Sequence, residues 1–92
     1  MLKVKLLKSF NTQLKEICNY IAEDNPSKAE EIYLSVLEYI NLLKFFPLMG
    51  RKVSKDYREL IIPKYKYKVV YKVCKSKVCV VAIRREQDIF NF

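Results

Sequence analysis

Histidine is missing from the 92 residues, glycine occurs once and cysteine three times. Each scarcity removes a kind of chemistry. Without histidine the commonest general base is gone, and any proton transfer falls to a lysine, a tyrosine or a carboxylate. One glycine, Gly50, cannot build a Gly-rich phosphate loop. The three cysteines, Cys18, Cys74 and Cys79, are odd in number, which argues against a disulfide framework and agrees with a reducing compartment. Dispersed thiols without histidine also lack the paired spacing of tetrahedral zinc, so neither a metal nor a cofactor is expected. No serine or cysteine has a visible partner base. Long apolar runs are missing too. The opening MLKVKLLKSF is too short and too interrupted by lysine for a signal or membrane segment, and the chain reads as cytoplasmic.

What is present is positive charge and apolar bulk. Lysine and arginine number 18 against 10 acidic residues, a formal net charge of +8, and 51% of the residues are hydrophobic. This length supports one small core, hence a single domain over 1–92. The charge draws polyanions or an acidic protein.

Periodicity orders the chain. Residues 2–7, LKVKLL, alternate as a first strand, and Ser9 is placed to cap a helix with Phe10, Leu14, Ile17, Cys18 and Ile21 on one face, ending near Asp24. Asn25-Pro26 stops that helix and starts another, with Ser27 and Glu30 as a second capping frame. The second helix is predicted to run to about Phe46. Its stripe is Ala29, Ile32, Tyr33, Val36, Ile40 and Leu43, widened by Leu34, Leu37 and Leu42. Pro47 and Gly50 close the helix pair, and a basic connection, RKVSKDYR, leads to three strands near 57–62, 65–74 and 78–84. A tight turn around Lys75, Ser76 and Lys77 joins the last two, and Cys74 and Cys79 bracket it closely enough for a disulfide on oxidation. The expected fold is α+β, a two-helix hairpin packed on a mainly antiparallel four-stranded sheet in the order β-α-α-β-β-β.

Within PKYKYKVVYKV, strand alternation sends Lys64, Lys66, Lys68 and Lys72 one way and Tyr65, Tyr67, Val69, Tyr71 and Val73 the other. The lysine side is expected to face outward. Either hairpin register sets an arginine beside Lys68: Arg84 if Cys74 faces Val78, Arg85 if it faces Cys79. Like charges opposed across a ladder are unfavourable, so a surface that keeps them suits an anion. Arg58, with Arg51, Lys52 and Lys55 from the connection, can rim the same face, where arginine's planar fork matches phosphate or carboxylate.

The stretches IAEDNPSKAEEIYLSVLEYINLLKFFPLMGR, YRELIIPKYKYKVVYKV and VCVVAIRREQDIF resemble the RelE/ParE superfamily of toxins from type II toxin-antitoxin systems. The helix hairpin with its P-x-x-G-R exit, the R-E-L strand and the Y-x-x-x-Y hairpin carry the likeness over nearly the whole chain. The resemblance implies a toxin that arrests growth and a cognate antitoxin, here an acidic one, wrapped over it. RelE-like relatives cleave mRNA on the translating ribosome, whereas ParE-like relatives share the fold and inhibit DNA gyrase.

For RelE-type cleavage the implied catalytic residues are Arg58, Lys68 and Arg84, with Arg85 as alternative to Arg84. That pattern is incomplete: Leu60 stands where a second lysine is expected, Lys68 replaces an arginine, and Phe90 replaces a C-terminal tyrosine. The departures lean toward the ParE-like reading. Arg51, Lys52, Lys55, Lys66 and Phe90 are the expected anion- or target-binding residues, and Ile89, Phe90 and Phe92 form either a core-pinned tail or a gyrase or antitoxin contact. A general nucleic-acid-binding domain is the remaining reading, and it rests on charge alone.

Overall fold

The computed structural model describes residues 1–85 and has the expected α+β architecture. Strand β1 (Lys3–Leu6) is followed by helices α1 (Lys8–Ala22) and α2 (Pro26–Leu42), then by strands β2 (Arg51–Lys52), β3 (Arg58–Ile62), β4 (Tyr67–Val73) and β5 (Lys77–Arg85). Among the described residues the sheet has five strands in the order β1-β5-β4-β3-β2, one more than expected, because Arg51 and Lys52 pair with Glu59 and Arg58. It is mixed: β1 runs parallel to β5, and the other pairings are antiparallel.

Both helices lie over one face of the sheet. Phe10 and Leu14 of α1 and Ile32, Val36 and Ile40 of α2 close on Leu60, Ile62, Tyr67, Val69, Tyr71, Val78, Val80 and Ile83. Leu2, Val4, Leu6, Ile17, Cys18 and Ile21 pack around this core as the periodicity predicts. Tyr33 and Leu34 do not join it and stand exposed on α2.

Helix boundaries follow local chemistry. Asn25 caps α2, its side-chain oxygen accepting the Lys28 N–H at 3.2 Å with Pro26 at the first helical position. The Ser27–Glu30 frame is therefore not the cap. Beyond Leu42 the chain tightens into turns, with Leu43 N–H bonding Ile40 O and Lys44 N–H bonding Asn41 O, so α2 ends short of Phe46. Proline at 47 disfavours the helical conformation for the residue before it.

Ser9 is not the cap of α1 either. Leu7 takes that position in extended conformation, its N–H held by Val80 O at 3.0 Å, and its side chain gives no capping bond. Ser9, inside the first turn, donates instead to Val81 O at 2.6 Å, and Gln13 accepts the Ile83 N–H at 2.9 Å. Strand β1 stops pairing at Val80, so these two α1 side chains satisfy β5 backbone groups where no further β1 partner exists.

Candidate target-binding surface

The β4–β5 ladder decides which basic residues share a face. Val73 faces Val78, Lys72 faces Cys79 and Tyr71 faces Val80, but Val70 faces Ala82, leaving Val81 as an extra residue. A β-bulge of this kind reverses the side-chain alternation beyond it. Ile83 thereby enters the core, Arg84 lies opposite Lys68 on the face away from the helices, and Arg85 lies opposite Tyr67 on the helix side. The Lys68–Arg84 apposition is one of the two expected, reached by a different route. Val73, not Cys74, faces Val78, and the bulge makes up the offset. Arg84 and Arg85 are both exposed, on opposite faces, and Arg85 borders a groove of about 220 Å³ with Glu16, Ile17, Tyr20, Ile21 and Tyr67.

The expectation of an outward lysine row needs correction. Strand β4 begins only at Tyr67, so Lys64 and Lys66 belong to the preceding turn, where Lys66 is exposed with φ of 58°. Lys64 pairs with Glu31 of α2 at 3.0 Å. Their hydrogen bond holds the Glu31 carboxyl below its ordinary range and pushes the Lys64 ammonium up. Lys68 is only 5% exposed and its ammonium lies 3.5 Å from the Glu59 carboxylate. Lys72 is half-buried, 6.0 Å above the ring of Tyr57.

Glu59 also receives Arg51 at 3.3 Å, so one carboxylate holds both an expected target contact, Arg51, and an implied catalytic residue, Lys68. Nothing in the sequence pattern singles it out except its place in the R-E-L strand. An acidic residue flanked by arginine on a basic face is the signal that would have found it.

Arg58 points to the helix side. Its guanidinium donates to Gly50 O at 2.8 Å and Leu48 O at 3.3 Å. Tyr71, opposite Arg58 in the ladder, donates its hydroxyl hydrogen to Pro47 O at 2.8 Å and accepts the Gly50 N–H at 2.9 Å. Burial pushes the Tyr71 phenol up against the opposing effects of the Gly50 N–H and the Arg58 charge. A Cβ at residue 50 would sit 2.6 Å from that hydroxyl oxygen and 2.7 Å from Glu59 O, so only glycine fits. The three sequence features P-x-x-G-R, R-E-L and Y-x-x-x-Y are thus one hydrogen-bonded clamp on the turn that follows α2.

That clamp presents two adjoining surfaces. Phe45, Phe46, Leu48, Met49 and Val53 are exposed around the turn. Beside it a cleft of about 450 Å³ is lined by Lys52, Lys55, Asp56, Tyr57, Arg58, Lys72, Val73 and Cys74. Lys52 and Lys55 are exposed there, while Arg51 divides its charge with Glu59. Leu60, at the place of the lysine expected for RelE-type cleavage, is buried in the core. Phe90, Ile89 and Phe92 lie outside the described residues. Among the described residues no group of three or more metal-ligating side chains converges, and no helix is long and apolar enough to cross a membrane.

Residues 4–90 match the family model of the ParE toxin of the type II toxin-antitoxin system parDE. No curated protein matches the chain. Among solved structures, the chromosomal ParDE toxin-antitoxin system from P. aeruginosa superposes with a TM-score of 0.82 at 17% identity, over 92% of this chain and 96% of that one. A copper-bound mutant toxin from Helicobacter pylori gives 0.64 at 21% identity, over 98% and 100%. A conserved hypothetical protein from Helicobacter pylori gives 0.54 at 24%, over 90% and 92%. At these identities the structural likeness is one of fold.

Proposed function

The chain belongs to the ParE toxin family of type II toxin-antitoxin systems, and from that premise we propose that it arrests growth by binding DNA gyrase rather than by cleaving mRNA. Membership in the family carries an antitoxin as partner. The observation that bears most weight on the target is the internal commitment of two basic residues that cleavage would require. Arg58 has its guanidinium on Gly50 O and Leu48 O, and Lys68 is buried against Glu59. Neither stands ready to stabilise the charge that develops on a phosphate in transesterification.

A protein target suits what is left open. The exposed aromatics and aliphatics of the 45–53 turn adjoin the cations Arg51, Lys52 and Lys55, a combination typical of an anchor with a charged rim. Arg84 and Arg85 add exposed charge at the end of β5, one on each face of the sheet. The same net charge of +8 makes an acidic antitoxin in the cytoplasm the natural neutralising partner.

The test is a supercoiling assay with purified toxin and gyrase, run beside mapping of mRNA 5′ ends after induction in cells. The expected result is inhibited supercoiling, reduced at least about tenfold by combined Arg84→Ala and Arg85→Ala, with no new ends at codon boundaries. New ends clustered within translated frames, with supercoiling untouched, would overturn the proposal in favour of ribosome-dependent cleavage.

A further inference from the structure

The β4–β5 turn holds a pair of thiols that the toxin activity does not use. Cys74 Sγ and Cys79 Sγ lie 4.0 Å apart, in van der Waals contact, and neither is bonded elsewhere as a disulfide. They stand diagonally across the hairpin: Cys79 faces Lys72, and Cys74 follows Lys72 by two residues, so both share one face. Their accessibility differs. Cys74 is half-buried and lines the basic cleft, whereas Cys79 is 6% exposed behind it.

We propose that Cys74 and Cys79 form a peroxide-oxidisable thiol pair in which Cys74, on the cleft wall, reacts first and Cys79 resolves it. The sulfur of Cys74 attacks the terminal oxygen of a small hydroperoxide. The O–O bond breaks, the alcohol or water leaves with the proton, and a sulfenic acid remains. The sulfur of Cys79 then attacks that of Cys74, the S–O bond breaks and water leaves. Two thiols lose two electrons in all, and one hydroperoxide is reduced by two.

Three features of the site favour this chemistry. The partner sulfur is already adjacent, so the sulfenic acid meets a thiol before a second oxidant. The closing turn, Lys75 and Ser76, is exposed and lies at the end of the hairpin, where a small backbone adjustment brings the sulfurs to bonding distance. The cations lining the cleft, Lys52, Lys55, Arg58 and Lys72, outnumber its one carboxylate, Asp56, and so oppose a metal ion on the same thiols but not an uncharged hydroperoxide.

Cys18 supplies an internal comparison. It sits against the core beside α2, and burial pushes its thiol up, so it holds little thiolate.

The experiment treats the purified, reduced chain with graded hydrogen peroxide, blocks remaining thiols, and digests with trypsin, which cleaves after Lys75 and Lys77 between the two cysteines. The expected product is a linked Cys74–Cys79 peptide pair, about two mass units lighter than the free thiols and restored by dithiothreitol, with Cys18 consumed at least about tenfold more slowly. In Cys79→Ser the same dose should instead leave a sulfenic acid on Cys74 that a cyclic dione traps. Consumption of Cys18 at the same rate as the pair, or oxidation of Cys74 and Cys79 to separate oxyacids without a link, would overturn the proposal. This result stands or falls separately from gyrase binding, because its readout is chemical.

Discussion

The hydroxyl of Tyr71 accepts the N–H of Gly50 at 2.9 Å across 21 residues of sequence, and beside it the backbone leaves no room for a methyl group. Tyr71→Phe keeps the ring but deprives Gly50 N–H of its acceptor and Pro47 O of its donor. Buried groups left unpaired in this way cost about 1–3 kcal/mol. Gly50→Ala should be destabilising as well, by about 1–3 kcal/mol or more from overpacking. Combining the two should not restore stability, since Glu59 O and the Tyr71 ring carbon, both at 2.7 Å, still obstruct the new methyl. Urea midpoints of the three variants test this; rescue of Gly50→Ala by Tyr71→Phe would mean the obstruction is the hydroxyl alone.

The same tyrosine has a pH signature. Burial raises the phenol above its ordinary value, so the folded state binds that proton more tightly than the unfolded state. The resulting stabilisation is complete below the unfolded value of about 10 and is lost as pH rises through the folded one. The stability advantage of the parent chain over Tyr71→Phe should therefore shrink as pH rises above about 10. Parallel denaturation curves of both chains across that range measure it. A constant difference would show that the phenol is not protected.

Glu59 and Lys68 should respond asymmetrically to mutation. Glu59→Gln leaves the Lys68 ammonium buried without its carboxylate, and breaking a buried pair from one side costs about 3–5 kcal/mol. Because Glu59 is partly open to water, the lower end of that range is expected. Lys68→Met removes the buried charge and leaves Glu59 with Arg51, so its stability should lie within about 1 kcal/mol of the parent. Thermal melts of the two variants decide the matter. Equal losses would mean the attraction itself, rather than the stranded charge, dominates.

What the sequence reveals and conceals follows the range of the interactions. The helices, the later strands and the Asn25 cap are written in local periodicity and in residues a few positions apart, and they appear where predicted within a few residues. The two-residue strand β2 carries no period to detect, and only the pairing of Arg51 and Lys52 with Glu59 and Arg58 creates it. Ser9 has the residue type of a cap, yet its hydroxyl serves Val81 O, 72 residues away, which no local rule anticipates.

The lysine row misleads for a similar reason. Alternation places Lys68 on the face away from the helices correctly, but burial depends on the central position of β4 and on Glu59 beside it. The bulge at Val81 is likewise invisible in VCVVAIRR, although it decides that Arg84 and not Arg85 accompanies Lys68. Family motifs are legible as letters without showing their job. Arg58, matched to a catalytic position, holds the turn after α2 in place.

Ser9 and Gln13 substitute for a strand partner along β5, which gives a prediction about the sheet itself. Removing Gln13 as Gln13→Ala strands the half-buried Ile83 N–H, and Ser9→Ala removes the donor to Val81 O. Each should cost about 0.5–1.5 kcal/mol, with the Gln13 change toward the larger value because its partner is less exposed to water. Amide exchange at Ile83 should quicken in Gln13→Ala, while exchange in β3 stays the same. Unchanged exchange at Ile83 would mean that water or a neighbouring group satisfies it equally well.

The basic cleft should govern the speed of partner capture more than its tenacity. Lys52 and Lys55 are exposed, and charges of this kind steer encounter while contributing little once the partner is seated. Lys52→Ala combined with Lys55→Ala should slow association with the antitoxin several-fold at low salt and flatten the salt dependence of the rate, leaving dissociation within about twofold of the parent. By contrast Phe46→Ala, in the exposed turn, should act on dissociation if that turn anchors the antitoxin. Stopped-flow association and competition-chase dissociation over a salt series separate the two. A large rise in the off-rate for the lysine variant would identify Lys52 and Lys55 as desolvated contacts within the interface instead of steering charges at its rim.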